Sequence, residues 1–502
     1  MLKFKKIIAL MMAVLLALGA MGAVAEESAE AQTATETEGM PGQPPEMPDG
    51  ENGQPPEPPQ GDMNGERPEP PQGGMGQPPQ MPDGQMPGQP PEMDGQQPPE
   101  MPEGGMPGDM GGMPGGMGGS APTEYAAAAT VTGDSDGESF ASETADESAV
   151  LVSGDSATLT GATITKTGDS DGESADFYGI NAAVLAVDGA TLTLDGATIT
   201  TDGTHANGVF SYGSGTTVNV TGTTITTTGD NSGGLMTTGG GTMIAEDCTV
   251  STVGRSSAAI RSDRGGGTVN VTGGSYATNG IGSPAIYSTA DITVTGATLS
   301  ASNSEAVVIE GGNSITLNDV DITGCDATLN GQSVVKTNAL IYQSMSGDAA
   351  EGNSTFTMAG GSMTAETGCM FHVTNVTTTI SLSGVRFTYA DDSDVFLSAT
   401  ADSWGNAGSN GGHATLNLAV QEIEGNLIAD ESSSLALNLT EGSRYTGAIN
   451  PDGAAGSVSV TIDESSTWTL TADSFVDSLD AAEGSIDLNG YTLTVNGEVW
   501  NG

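Results

Sequence analysis

The densest group of basic side chains after residue 25 is a short arginine cluster. Arg255, Arg261 and Arg264 fall within ten positions, in a chain with 11 lysines and arginines against 64 aspartates and glutamates. Asp263 stands among them. An arginine fork of this kind can hold a carboxylate- or sulfate-bearing sugar. The alternative is charge compensation between stacked acidic loops, in which Arg255 would lie above Asp230.

A second group combines apolar, aromatic and basic side chains at a regular interval. Phe210, Met236, Arg261 and Tyr287 follow one another at intervals of 25 or 26 residues, and Tyr212 is nearby. If each interval is one turn of a solenoid, these side chains form an outward strip with a spacing of about 4.8 Å. Aromatic faces beside polar donors can bind sugar rings. Exposed aromatic ladders without a ligand are the alternative.

A third group is an acidic sequence of eight residues that occurs twice, at positions 132–139 and 167–174. Stacked copies would bring carboxylates together, and hard oxygen ligands beside a glycine favour Ca²⁺. Two solvated loops copied by duplication are the alternative. The metal prediction rests on Asp134, Asp136, Glu138, Asp169, Asp171 and Glu173.

These groups are carried by an internal repeat. Turn residues recur at Gly196, Gly222, Asp247, Gly273, Gly296 and Asp319, separated by 23 to 26 residues. Before each turn, apolar residues alternate with Thr, Ser or other polar residues, as in a half-buried strand. A separate apolar pair, such as Val209 with Phe210, recurs once per repeat. Three short strands per repeat are typical of a β-helix coil, which buries its inward row only by stacking on other coils.

We therefore predict an all-β, right-handed parallel β-helix over residues 123–502, with roughly a dozen coils of about 23–26 residues. A longer insertion is expected around residues 326–352, and less regular coils from about residue 415. Long helices are not expected. The three cysteines are expected to be buried thiols, with one disulfide and a spare thiol as the alternative.

The first 122 residues have a different character. Residues 1–25 have a basic start, an apolar run and a small-residue cleavage site, which predicts a secretory signal peptide. Of the 25 prolines in the chain, 23 fall between positions 40 and 122, in a segment rich in Gly, Met and Gln. This composition predicts a disordered spacer over residues 26–122.

The net charge of the chain and its expected export limit the partners that it can bind. A net charge of −53 makes nucleic acid an unfavourable partner. No later stretch has the length of a membrane span, so we expect an extracellular protein, secreted or associated non-covalently with the cell envelope. The oligomeric state stays open.

The repeat resembles the pectin-lyase-like right-handed parallel β-helices. More narrowly, it is similar to exported, adhesin-like or carbohydrate-binding-domain proteins of Gram-positive gut bacteria. The segments that carry the resemblance, within residues 123–400, are 176–184, 259–269, 282–291, 305–310 and 341–348. The resemblance implies an exported or envelope-associated protein and supplies no catalytic residues.

Two functions follow from these observations. The first is a non-catalytic, adhesin-like surface that binds a glycan or cell-surface ligand. The second is a polysaccharide lyase or glycoside hydrolase. Lyases of the resembling fold typically use a basic residue, for which Arg261 with Asp263 is the candidate, and its hydrolases use grouped carboxylates such as Asp391, Asp392 and Asp394. Because neither group forms a complete catalytic set in the sequence, we expect binding rather than catalysis.

Overall fold

The protein is described by a computed structural model that covers residues 121–329, 333–453 and 456–501. The expected signal peptide and nearly all of the expected spacer lie outside the described residues. The described residues form three long sheets in which all strand pairs are parallel, so the predicted parallel β-helix is confirmed. Each regular coil contributes one strand to each sheet in turn, and hydrogen bonds join each inner strand to the coils before and after it.

Sheet A contains the recurring apolar pairs. Its twelve strands within the described residues are Ala127–Thr130, Ser148–Ser153, Val184–Val187, Val209–Tyr212, Leu235–Thr238, Ile260–Ser262, Ile286–Ser288, Val307–Glu310, Thr337–Tyr342, Cys369–Thr374, Val395–Ala399 and Asn426–Ala429.

Sheet B contains the alternating segments before each turn. Its fourteen described strands are Ser135–Asp136, Ser156–Thr160, Thr191–Asp195, Thr217–Thr221, Gly241–Glu246, Gly267–Thr272, Asp291–Thr295, Ser314–Asn318, Asn353–Ala359, Thr377–Ser383, His413–Ala419, Ser434–Thr440, Ser457–Ile462 and Ser478–Ala481.

Sheet C follows each turn. Its ten described strands are Ser139–Ser142, Thr163–Lys166, Thr198–Thr201, Thr224–Thr227, Thr249–Thr252, Ser275–Thr278, Thr298–Ala301, Asp321–Gly324, Ser362–Ala365 and Arg386–Thr388.

The regular pattern changes toward the C-terminus, where sheet C ends at Thr388. A four-stranded parallel sheet then follows, formed by Glu422–Glu424, Arg444–Thr446, Thr467–Thr469 and Ile486–Asp487. A three-stranded sheet of Ser474–Val476, Leu493–Val495 and Glu498–Val499 ends with an antiparallel pair. The helix among the described residues, Ser174–Tyr178, is five residues long.

The core is the stack of inward rows from the three sheets. In sheet B, Leu192, Val218 and Met243 pair in register on successive strands and are fully buried. Their neighbours along each strand, such as Thr193 beside Leu192, point outward, and this alternation is what the sequence predicted. Cys248 and Cys369 are buried, Cys325 is half-buried, and all three thiols are free.

The turns between sheets B and C lie where the sequence predicted them. Gly196, Gly222, Gly273 and Gly296 have φ between 54° and 65°, and Asp247 and Asp319 have φ of 50°. This left-handed conformation is easy for glycine and tolerated by aspartate, which explains why these two residue types occupy the turn position in successive coils.

The corner between sheets C and A is stacked more tightly. The Ser232 hydroxyl donates to the Gly203 carbonyl at 2.9 Å and the Ser283 hydroxyl to the Gly254 carbonyl at 2.8 Å. The Ser257 backbone N–H donates in turn to the Ser283 hydroxyl at 2.9 Å. Small residues at this corner let the backbones of successive coils approach closely.

Candidate ligand-binding groove

The predicted column on sheet A is present in the structure. Phe210 pairs with Met236, Met236 with Arg261, and Arg261 with Tyr287, each one coil further along. Tyr287 pairs in turn with Val308. The four predicted residues therefore lie in one row on the outer face of sheet A.

The first half of this row is nevertheless not available to a ligand. Phe210 and Met236 are fully buried, so the expectation of an exposed strip is wrong at both positions. Gly179, directly after the helix Ser174–Tyr178, packs on Phe210, since a Cβ on Gly179 would lie 2.8 Å from the Phe210 ring, and Met236 belongs to the same buried cluster. The sequence concealed this because the covering residues belong to an insertion between coils.

Tyr212 lies in an aromatic cluster beside that cover rather than in an open site. Its ring centroid is 5.5 Å from that of Tyr178 and 6.4 Å from that of Tyr125. The side chain is half-buried against this cluster. Phe210 and Tyr212 therefore stabilise the first coils, and neither contributes to the groove described below.

Arg261 is held by carboxylates. Its guanidinium lies 2.8 Å from Asp263 and 3.9 Å from Asp176, and it donates to the Ser256 carbonyl at 3.2 Å. Burial raises the pKa of Asp263 to about 6, although Arg261 acts in the opposite direction. At neutral pH the charge of Arg261 is thus already compensated within the protein.

Asp176 extends this network toward a histidine. Its carboxylate lies 2.9 Å from Nδ1 of His205 and 3.4 Å from Nδ2 of Asn207. The hydrogen bond with Asp176 raises the pKa of His205 against the lowering effect of burial. Sequence analysis missed Asp176 and His205 as partners of Arg261, since they come from different coils.

Arg264 connects two insertions. It donates to Asp348 at 2.9 Å through Nε and at 2.5 Å through a terminal nitrogen. Its guanidinium carbon lies 3.9 Å from the centroid of the Phe177 ring. Arg255 is separate from this group, and its backbone N–H donates to Asp230 at 2.8 Å, as the coil offset predicted. The three arginines of the sequence cluster therefore have different partners.

We expect Arg264→Ala to lower the free energy of unfolding by about 1 kcal/mol, because it removes a partly buried ion pair and a cation–π contact. Urea unfolding followed by circular dichroism measures the change. The control is Arg386→Ala, which removes an exposed pair with Asp321 and should have no measurable effect. Equal unfolding midpoints for the two variants would contradict the structural role of Arg264.

A cavity of about 230 Å³ opens beside Arg261. Its walls include Arg261, Tyr287, Glu305, Tyr342 and Trp404. We call this cavity the groove. Of the residues proposed from the sequence for ligand binding, Arg261 and Tyr287 line it; Asp263 contacts Arg261 behind it, and Arg264 supports the neighbouring insertions.

The two groove tyrosines are fixed by one buried carboxylate. Glu310 accepts hydrogen bonds from the hydroxyls of Tyr287, Tyr342 and Ser344, the Tyr342 bond being 3.2 Å long. Burial raises the pKa of both tyrosines well above the ordinary value; the next cause is Tyr342 for Tyr287 and the Glu310 carboxylate for Tyr342. Their hydroxyls therefore remain protonated and donate to Glu310, which orients both rings.

Trp404 completes the aromatic wall. Its ring centroid lies 4.6 Å from that of Tyr342, with an angle of 45° between the rings. The Asn410 side chain donates to the Trp404 carbonyl at 2.7 Å and to the Asp402 carbonyl at 2.6 Å, which holds the loop. Among the described residues, the indole Nε1 of Trp404 is a buried donor without a hydrogen-bond partner.

A buried carboxylate joins this loop to the insertion before strand Thr337–Tyr342. Asp402 accepts from Ser333 at 2.6 Å and lies 3.2 Å from Nε2 of His372, and the side chains of Asp402 and His372 are both inaccessible to solvent. Burial acts to raise the pKa of Asp402, but the hydrogen bonds from His372 and Ser333 hold it well below its usual range. The insertion predicted at 326–352 contains the regular strand Thr337–Tyr342, with a loop on either side of it.

The acidic repeats do not stack. Ser139 pairs with Thr163, 24 residues on, whereas the two copies are 35 residues apart. Asp134 accepts from the Thr158 N–H at 3.1 Å, and Asp169 accepts from the Thr204 N–H at 2.8 Å, so the copies occupy different corners.

This placement removes the premise of the calcium prediction. Among the described residues, no group of three or more His, Cys, Asp or Glu side chains is arranged to hold a metal ion. The prediction at Asp134, Asp136, Glu138, Asp169, Asp171 and Glu173 depended on stacking of the two loops, which the described residues do not show.

The acidic residues at 391–394 have structural partners. Asp392 accepts from the Gly368 N–H at 2.8 Å, and Asp394 accepts from Nδ2 of Asn426 at 2.9 Å. These contacts fit the turn that the sequence suggested before strand Val395–Ala399.

The chain matches no protein-family model, and comparison with curated proteins and with solved structures finds no significant match. Among the described residues there is no helix with the length and apolar character needed to span a lipid bilayer.

Proposed function

We propose that the protein is an exported, non-catalytic β-helix of the adhesin-like kind, and that it binds a glycan in the groove. The proposal rests above all on the aromatic wall of Tyr287, Tyr342 and Trp404 beside the polar side chains of Arg261 and Glu305. Sugar rings present apolar faces and hydroxyls together, so they suit a wall of aromatic faces flanked by donors and acceptors.

The rigidity of the wall supports binding. Glu310 fixes two of the rings, and Asp402 and Asn410 fix the loop of the third. A pre-formed wall avoids the entropic cost of ordering side chains when the ligand arrives. The similarity of the coil pattern to pectin-lyase-like β-helices, and the secretory character of residues 1–25, are consistent with a glycan ligand outside the cell.

The test is a glycan-array screen of the full chain, followed by calorimetry on any sugar that binds. We expect Trp404→Ala to weaken binding about tenfold or more, equivalent to about 1.4 kcal/mol, because a stacking face is lost. Trp404→Phe keeps an aromatic face, although a smaller one without the N–H, so it should weaken binding less. Arg261→Ala is unsuitable as a probe, because it leaves Asp176 and Asp263 without their cation.

The control for Trp404→Ala is Tyr491→Ala, which removes an exposed aromatic ring in the C-terminal region. It should leave binding unchanged. A sugar that binds wild type and Trp404→Ala equally does not use the groove, and a blank array would favour a purely structural stalk.

The enzyme alternative is retained because of one observation. Burial, followed by the neighbouring Glu305 carboxylate, raises the pKa of Asp326 to about 7. A protonated acid near a second carboxylate is a pattern seen in glycoside hydrolysis. Asp326 is not among the residues that line the groove, which favours binding over catalysis. Steady release of reducing ends or unsaturated uronates from a glycan would favour the enzyme.

A further inference from the structure

The electrostatic character of the groove differs from what the arginine cluster suggested. Arg261 is the basic residue among the described lining residues, and it is bound by Asp263 at 2.8 Å with Asp176 at 3.9 Å. Two carboxylates therefore surround one guanidinium. An incoming carboxylate or sulfate would find no uncompensated positive charge, and it would have to displace an internal ion pair.

The remaining charged lining residue is acidic. Glu305 lines the groove and accepts a hydrogen bond from the Ser304 hydroxyl at 2.7 Å. Glu310 adds a further carboxylate directly behind the tyrosine rings. The potential in the groove is thus negative, within a protein that is itself strongly acidic.

The aromatic wall also favours a positively charged ligand. The hydroxyls of Tyr287 and Tyr342 are occupied by Glu310, so the rings rather than the hydroxyls are left to face a ligand. The faces of tyrosine and tryptophan attract cations, by about 0.5 to 2 kcal/mol depending on desolvation. Glu305 and these rings therefore suit the same positively charged group.

The proposed glycan ligand fits these groups when it carries a free amine. The apolar face of its ring packs on the aromatic rings, and its ammonium group pairs with Glu305.

We propose that the groove selects amino sugars with a free ammonium group over N-acetylated sugars and uronic acids. This inference rests on the proposed glycan-binding function and specifies its ligand. Glu305 pairs with the ammonium group, and Tyr342 and Trp404 contact the sugar face.

The test is calorimetric titration of the full chain with three short oligosaccharide sets: glucosamine oligomers, their N-acetylated counterparts and oligogalacturonates. We expect the free amines to bind at least tenfold more tightly than either of the other sets, with one site per chain. Titrations at physiological and at raised salt separate the groove from general attraction to an acidic surface, since exposed charges are screened.

The decisive variant is Glu305→Gln, which keeps the shape of the side chain and removes its charge. It should abolish the preference for the free amine. The matched control is Glu464→Gln, an exposed glutamate that makes the same change in net charge and should retain the preference. Trp404→Ala should weaken binding of every sugar that uses the groove.

The outcomes separate the two proposals. Binding that depends on Trp404 but shows no preference for the amine, or prefers uronates, overturns this inference and leaves the glycan-binding function intact. Amine binding that persists in Trp404→Ala or occupies many sites is surface attraction and overturns the inference. No Trp404-dependent binding of any of the three sets overturns the inference and, with a blank array, the proposed function as well.

Discussion

Gly254→Ala is expected to lower the free energy of unfolding by about 3 kcal/mol, the upper end of the cost of overfilling a packed interior. An added Cβ would lie 1.9 Å from the Gly229 carbonyl oxygen and 2.8 Å from the Asp230 backbone nitrogen. Both neighbours are backbone atoms, so no side-chain rotation can relieve the overlap.

The reason for this sensitivity is that the corner repeats along the helix. A Cβ on Gly229 would lie 2.0 Å from the Gly203 carbonyl, and one on Gly280 would lie 1.8 Å from the Gly254 carbonyl. Relief at one coil therefore shifts the coils on both sides, together with the serine hydrogen bonds that join them. In a solenoid, a weakened interface between neighbouring coils reduces the cooperativity of the whole stack.

The measurement is urea unfolding followed by circular dichroism at about 218 nm, where β-strands give a negative band. The matched control is Gly133→Ala, because a Cβ at Gly133 meets nothing within 4 Å. Equal midpoints for Gly254→Ala and Gly133→Ala would show that the corners are not stacked as closely as described.

The repeat could be predicted from the sequence because the regular coils have the same residue types at equivalent positions. The alternation around Leu192 and Leu194, the left-handed turn at Gly196 and the apolar pair at Val209 and Phe210 each recur within 23 to 26 residues. Each is a local requirement of a strand or a turn. Stacking coils of nearly equal length then leaves little freedom in the register.

The groove could be predicted only in part, because it lies where the repeat is interrupted. Arg261 and Tyr287 belong to regular strands and were found by counting coils. Tyr342 lies on a regular strand between two irregular loops, and Trp404 lies in a loop with no counterpart in other coils. Periodicity carries no information on how such loops fold over a sheet.

The burial of Phe210 and the position of the second acidic copy both involve one insertion. The helix Ser174–Tyr178 and its flanking residues lengthen one coil to 35 residues, since Thr163 pairs with Thr198. The same insertion covers Phe210 and carries the second acidic copy to another corner. The copies fail to stack because the coil between them is a regular 24 residues, with Ser139 paired to Thr163, whereas the copies themselves are 35 residues apart.

Asp402→Ala is expected to lower the free energy of unfolding by about 3 to 4 kcal/mol, the cost of leaving buried polar partners without their charge. The Asp402 carboxylate is inaccessible to solvent and accepts hydrogen bonds from the Ser333 hydroxyl and the Ser403 N–H, both at 2.6 Å. It also lies 3.2 Å from His372. The substitution leaves these groups without an acceptor.

The loss should be local in structure and dependent on pH. Hydrogen exchange should rise first in residues 333–345 and 401–411, the two segments that Asp402 joins, and sugar binding should weaken because Trp404 loses its support. The folded-state pKa of Asp402 is depressed, so its stabilisation is fully present above the ordinary aspartate pKa of about 3.9 and is lost as pH falls through the folded value. The difference between wild type and Asp402→Ala should shrink in that acid range.

The control is Asp391→Ala, an exposed aspartate whose removal should leave both stability and exchange unchanged. Should Asp402→Ala unfold at the same urea concentration as Asp391→Ala, the buried carboxylate does not hold the two loops together. Should it lose stability while exchange in both segments stays at the wild-type rate, the stabilisation is not local to the groove. Lower stability together with faster exchange in both segments and weaker sugar binding would identify Asp402 as a positioning residue. Such a residue holds the aromatic wall without touching the ligand.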